Sequence, residues 1–213
     1  MANTLSVQIL EDGPRNVVIK VEGVLDTSDV AATGTLGASA SGATTTNSPN
    51  ITFTAGGLAP LPGQYVTGTG IPAGTYLISS TATTGVLNAN ATATGSSLTF
   101  TLTAGNIVIL DPALLSQIDY SQNLNCKKLA IRSIIYSVED LLSVNLFWAN
   151  GAADAGTAQR IEELVGRGKQ EYYKLQPIQN TLSTTTGRIL LATQGWASTT
   201  TLSFDFYMSL MKQ

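Results

Sequence analysis

The sequence predicts an all-β protein: a discontinuous β-sandwich or jelly-roll-like core domain with a small β-sandwich or barrel domain inserted into it. Three observations predict this. Leu202, Phe204, Phe206, Met208 and Leu210 alternate with Ser203, Asp205, Tyr207 and Ser209, a period of two that marks a half-buried strand and not a helix. No Asp, Glu, Lys or Arg occurs between Asp29 and Asp111, and that stretch holds 12 of the 20 glycines. Within it, Gly and Pro separate short β-branched runs at roughly ten-residue intervals, the pattern of a small sandwich or barrel. The composition shift divides the chain into a core, 1–32 plus 106–213, and an insert, 33–105.

The elements follow in order. Leu5, Val7 and Ile9 alternate with polar residues, and Asp12-Gly13-Pro14 signals a turn. Residues 16–24 (NVVIKVEGV) alternate again, with Val17, Ile19 and Val21 on one face. Residues 34–48 (GTLGASASGATTTNS) are low-complexity and read as a linker or mobile loop. The runs 50–54, 64–67, 75–79, 85–88 and 97–103 read as the strands of the insert. Residues 106–110 (NIVIL) form a short buried-strand run. In 111–118, an Asp before a Pro predicts one helical turn with Asp111 as its N-cap. The β-branched and aromatic run 128–138 and the alternating Leu142, Val144, Leu146 and Trp148 predict two strands joined by a turn at Glu139-Asp140. Residues 158–167 (AQRIEELVGR) fit either two or three helical turns or a strand, and 187–192 (GRILLA) is another strand.

Composition excludes several classes of function. The formal charge is −3, from 11 basic and 14 acidic residues, the wrong sign for an electrostatic nucleic-acid binder. Apolar residues are 43% of the chain, too many for a disordered one. With no histidine, every Ser-His and Cys-His arrangement is excluded, along with the commonest general base and metal ligand. The lone cysteine, Cys126, precludes an intrachain disulfide and a cysteine zinc site, and reads as a small buried hydrophobe. No stretch is long and apolar enough to span a membrane, and the first ten residues have no signal-peptide pattern, which suggests a cytoplasmic site of synthesis.

The motifs that carry chemistry elsewhere are weak here. Gly68-Thr69-Gly70 with Gly74 has the wrong spacing for a phosphate loop, lacks a following Lys, and reads as a turn. The acidic pairs are Asp26 with Asp29, Glu139 with Asp140, and Glu162 with Glu163. Glu139-Asp140 reads as a solvated turn between two strands, against a glycosidase pair; loop carboxylates such as Asp26 and Asp29 are an alternative calcium site, without EF-hand spacing to support it. Asn50-Ile51-Thr52 and Asn90-Ala91-Thr92 match the glycosylation sequon, which has no meaning without secretion. Trp148 and Trp196 lie at strand ends, either packed in the core or exposed for sugars or a protein partner. Gly166-Arg167-Gly168-Lys169 reads as a turn carrying two cations. The expectation is therefore no enzyme, no cofactor and no metal.

The N-terminal flank TLSVQILEDGPRNVVIKVEGVLDTSD resembles the start of small structural proteins of tailed bacteriophages. The likeness continues through residues 131–148 with VEDLLSVNLFW, then Gly166-Arg167-Gly168, Ala192-Thr193-Gln194-Gly195-Trp196 and the last strand to Gln213. In the insert, VTGTGIPAGT (66–75) resembles a β module of phage virion proteins. The resemblance implies a head decoration or cement protein on the capsid surface, often trimeric, which clamps neighbouring major capsid subunits. The charge and the lack of a long apolar stretch lead to the expectation of no nucleic-acid or membrane partner. The candidate capsid or subunit contacts are Leu5, Val7, Arg15, Trp148 and Arg167, with residues 1–7 as an arm able to add a strand to a neighbour. The alternative is a tail- or fibre-associated module that binds a receptor or glycan.

Overall fold

The computed structural model describes residues 4–25, 39–54, 60–102, 106–119, 124–150, 159–172, 176–181, 186–194 and 201–213. Asp26, Asp29 and Trp196, singled out in the sequence, lie outside these residues. The described residues are all β, with one 3-10 turn and no α-helix.

The flanks build two antiparallel sheets. The first contains β1 (Thr4–Asp12), β2 (Asn16–Leu25), β16 (Leu202–Lys212), β10 (Leu129–Val138) and β13 (Arg167–Glu171) in that order, with β14 (Ile178–Gln179) also paired to β10. The second runs β12 (Gln159–Leu164), β11 (Ser143–Trp148), β15 (Ile189–Gln194) and β9 (Ile107–Leu110). Their inward faces share one core, including Val17, Ile19, Val21, Phe206, Met208, Val144, Leu146 and Trp148. Alternation drives this arrangement: on β2 and β16 every second side chain is buried, so each strand has a face that must meet another sheet.

The uncharged stretch forms a third sheet: β5 (Val66–Thr67), β8 (Gly95–Leu102), β3 (Ser39–Thr44), β4 (Asn50–Phe53), β7 (Thr84–Leu87) and β6 (Leu77–Ser80). A bridge between Tyr65 and Tyr76 joins its two end strands. Val66 N–H donates to the Thr75 carbonyl (2.9 Å) and Leu77 N–H to that of Gln64 (3.0 Å), so the sheet closes on itself as a barrel. Ile51, Phe53, Val66, Leu77 and Leu87 fill it. Closure removes the exposed edges that a charge-free sheet has no lysines to protect.

Two expectations change. Residues 39–44, read as part of a linker, are β3, which pairs with both β4 and β8. Its Ser, Ala and Gly residues lack the β-branched signature, and only pairing reveals the strand. Residues 159–164, which fitted helix or strand, are β12, followed by a turn at Gly166 (φ 66°) into β13. Asp111 caps the 3-10 turn Pro112–Leu114 as expected, accepting from Ala113 N–H at 2.9 Å.

Candidate functional site

The barrel is fixed to the sandwich through a buried polar joint. Asp111, 7% exposed, uses one oxygen to cap its turn. The other accepts from the Tyr76 hydroxyl at 2.9 Å and from Arg188 Nε at 2.8 Å. Arg188 also donates through Nη1 to the Gly74 carbonyl at 3.2 Å, and its guanidinium lies 4.8 Å from the centre of the Tyr76 ring. Tyr65 and Tyr76 meet edge to face at 6.2 Å and pack with Val108, Ala149 and Leu190. Burial and the adjacent Asp111 carboxylate push the Tyr76 hydroxyl well above its ordinary pKa, so it remains a donor. Burial would lower Arg188, but Asp111 and the Tyr65 hydroxyl outweigh it and hold the guanidinium charged.

Gly63 makes the backbone contact possible. It sits at φ 86°, and its carbonyl accepts from Val108 N–H at 2.9 Å. A Cβ there would lie 2.2 Å from the Val108 carbonyl oxygen. The glycine-rich sequence 68–74 is a turn, as its spacing indicated, with Gly70 and Gly74 at positive φ. It provides the Gly74 carbonyl to the joint. Asp111 and Arg188 were absent from the expected contacts. Their signal was that Asp111 is the first charge after the uncharged stretch and Arg188 opens an otherwise apolar run.

The expected contact residues do not form one patch. Trp148 is fully buried in the sandwich, which corrects its assignment as a surface contact: it alternates in step with Val144 and Leu146 and so points inward. Leu5 is buried and Val7 half-buried on the inward side of β1. Residues 4–7 are paired with β2 and so are not a free arm. Arg15 and Arg167 are exposed. Arg15 precedes Asn16, which pairs with Met211, whereas Arg167 pairs through Ser137 with Asp205. They are separated by roughly 20 Å along the sheet at about 3.3 Å per residue.

Among the described residues, one depression, of about 390 Å³, opens between β1, β9 and the barrel, and its lining is mostly apolar. A second, of about 360 Å³, lies over β4, β7 and β6; its lining combines Asn50 and the hydroxyls of Thr52, Ser79, Ser80, Thr81 and Thr84 with apolar surface that includes Ile51 and Val86. A third, of about 320 Å³, lies between the turns at Glu139-Asp140 and Gly166. Glu139 is committed there to Ser203 N–H at 2.8 Å, and Leu141 stands 75% exposed at φ 72°. Cys126 is buried, its thiol pushed up chiefly by burial, and donates to the Lys128 carbonyl at 3.3 Å. Among the described residues no cluster of His, Cys, Asp or Glu is placed to hold a metal ion. No described helix is long and apolar enough to cross a membrane. No protein-family model, characterised protein or solved structure matches the chain.

Proposed function

We propose that this chain is a structural protein of tailed-bacteriophage virions, a head decoration or cement protein that binds the assembled shell through the major capsid protein. In this reading it sits on the capsid surface as a homotrimer, contacts neither nucleic acid nor membrane, and performs no catalysis. The observation that carries the reading is the division of the molecule: a charge-free barrel is locked by a buried ion pair onto a sandwich that holds all the charge. Such a construction displays a module in a fixed direction and needs no reacting group. The phage-like segments 5–25 and 131–148 fall largely in sandwich strands, and 66–75 falls in the barrel turn that meets Arg188. Shell stabilisation would then follow from mass action, by a protein that binds the assembled lattice and not free subunits.

The hydroxyl-lined depression on the barrel favours a second reading, a tail- or fibre-borne module that binds glycans. Copy number per virion, measured by quantitative mass spectrometry against the major capsid protein, separates the two. Hundreds of copies in a simple ratio to capsid subunits are expected for decoration. A few dozen or fewer would favour the tail, and absence from particles would end both readings.

A further inference from the structure

We propose that the cleft between β1 and the barrel is a docking site for an extended segment of another polypeptide, which adds to the free edge of β1 as a seventh strand of the first sheet. Among the described residues β1 pairs with β2 alone, which leaves its outer backbone edge open. The cleft runs along this edge: Leu5, Val7 and Ile9 line it from the inward face of β1, and Ser6, on the opposite face, reaches it too. Ile9, Ile78 and Leu114 stand 48%, 44% and 55% exposed around it. A strand that pairs with an open edge gains backbone hydrogen bonds, and its alternate side chains need pockets. Edge and pocket are contiguous here.

Register and charge define the occupant. The ladder of β1 is regular from Thr4 to Ile9 and breaks at Leu10, which bulges between Ile9 and Glu11. A segment of about six residues therefore fits, roughly 20 Å at 3.4 Å per residue. The charge in the cleft lining, Asp111, is already met by Arg188, so the segment is uncharged over the cleft, with apolar residues at alternate positions. Glu11 stands exposed just beyond the bulge, so an antiparallel segment carries Lys or Arg at its N-terminal end. A second copy docking through its own β1 fits less well, because its inward residues Leu5 and Val7 are held in their own core and cannot enter the cleft. The inference does not depend on whether the chain coats a phage head.

The test uses the full chain and a dye-labelled peptide, Lys-Val-Thr-Val-Thr-Val-Thr, with a blocked-order peptide Lys-Val-Val-Val-Thr-Thr-Thr as control. Fluorescence anisotropy is expected to show saturable binding at least tenfold tighter for the alternating peptide, with slowed amide hydrogen exchange in residues 4–9. Ile78→Glu and Leu114→Glu, each at an exposed site, should weaken it at least tenfold. Ile135→Glu, 49% exposed on β10 away from the cleft, should leave it unchanged. Absence of saturable binding, binding that survives both cleft variants, or protection on another edge would overturn the proposal. So would a concentration-dependent dimer that protects β1 and resists the peptide, or uptake of the apolar dye anilinonaphthalene sulfonate by a cleft that refuses the peptide.

Discussion

Trp148 carries a donor that the core does not use: its indole Nε1 is buried without a hydrogen-bond partner. An unpaired buried donor costs about 1–3 kcal/mol. Trp148→Phe removes that cost along with some volume, so the two effects oppose each other. The expected change in unfolding free energy by urea titration is within about 1 kcal/mol, whereas Trp148→Ala should cost about 3–5 kcal/mol. Asp12 behaves differently. Lys212 Nζ, fully buried, pairs with it at 2.5 Å and donates to the Ser116 carbonyl and hydroxyl at 2.7 and 2.8 Å. Burial would raise the Asp12 carboxyl, but Lys212 and the Ser116 N–H and hydroxyl outweigh it and hold it below the usual carboxylate range. A depressed carboxyl stabilises the fold fully above its unfolded pKa, near 3.9, and loses that contribution as pH falls through the folded value. The stability gap between wild type and Asp12→Asn should thus be constant from pH 5 to 7 and narrow below about pH 4. A gap that widens on acidification would contradict the assignment. The inward direction of Trp148 was legible from alternation with Val144 and Leu146. The Asp12–Lys212 pair was not, because 200 residues of chain separate partners that only the folded sheet brings together.

At the scale of elements, β-bulges decided where the sequence could be read. Leu146 pairs with Glu162 but Phe147 with Arg160, so Ile161 is the extra residue on β12. That bulge shifts the parity and lets Ile161 and Leu164, three apart as on one helix face, both pack against the core, which is why this segment fitted both readings. Arg132 is the extra residue on β10, between pairs Ile131–Leu210 and Ser133–Ser209, and it leaves Ile131 and Ile134 buried at the same spacing of three. The surrounding β-branched residues still marked that strand. Where no bulge intervenes, on β2 and β16, alternation was read directly. Between those strands Gly23 faces Phe204, and a Cβ there would lie 2.3 Å from the ring. Gly23→Ala must therefore displace the aromatic side chain from a packed interior, at a cost of about 1–3 kcal/mol. Gly13→Ala, where the nearest atoms are 3.6 Å away, serves as its control in the same denaturation series and should show less than about 0.5 kcal/mol.

For the whole molecule, the composition shift located the barrel but not its attachment. An uncharged segment between charged flanks suggests a separate module on a linker, and such a module would unfold by itself. The joint argues otherwise. Breaking a buried ion pair by removing one partner costs about 3–5 kcal/mol, because the remaining charge stays buried, and Asp111 and Arg188 bring together the barrel, the 3-10 turn and β15. The barrel turn also contributes Gly74 and Tyr76 to Arg188. Neither body can therefore lose its fold without exposing the apolar contacts and stranding the charges of the other. Differential scanning calorimetry of the full chain should show one transition, with calorimetric and van't Hoff enthalpies in agreement. Asp111→Asn leaves Arg188 without its carboxylate and weakens the coupling while sparing the core of each body, so the single transition should split into two. Adding Arg188→Met to Asp111→Asn removes the stranded charge. The double variant should recover part of the stability lost by the single one, while the transitions stay separate because Arg188→Met also breaks the contacts of Arg188 with Gly74 and Tyr76. Two transitions in the wild-type chain would mean that the joint is a contact and not a coupling.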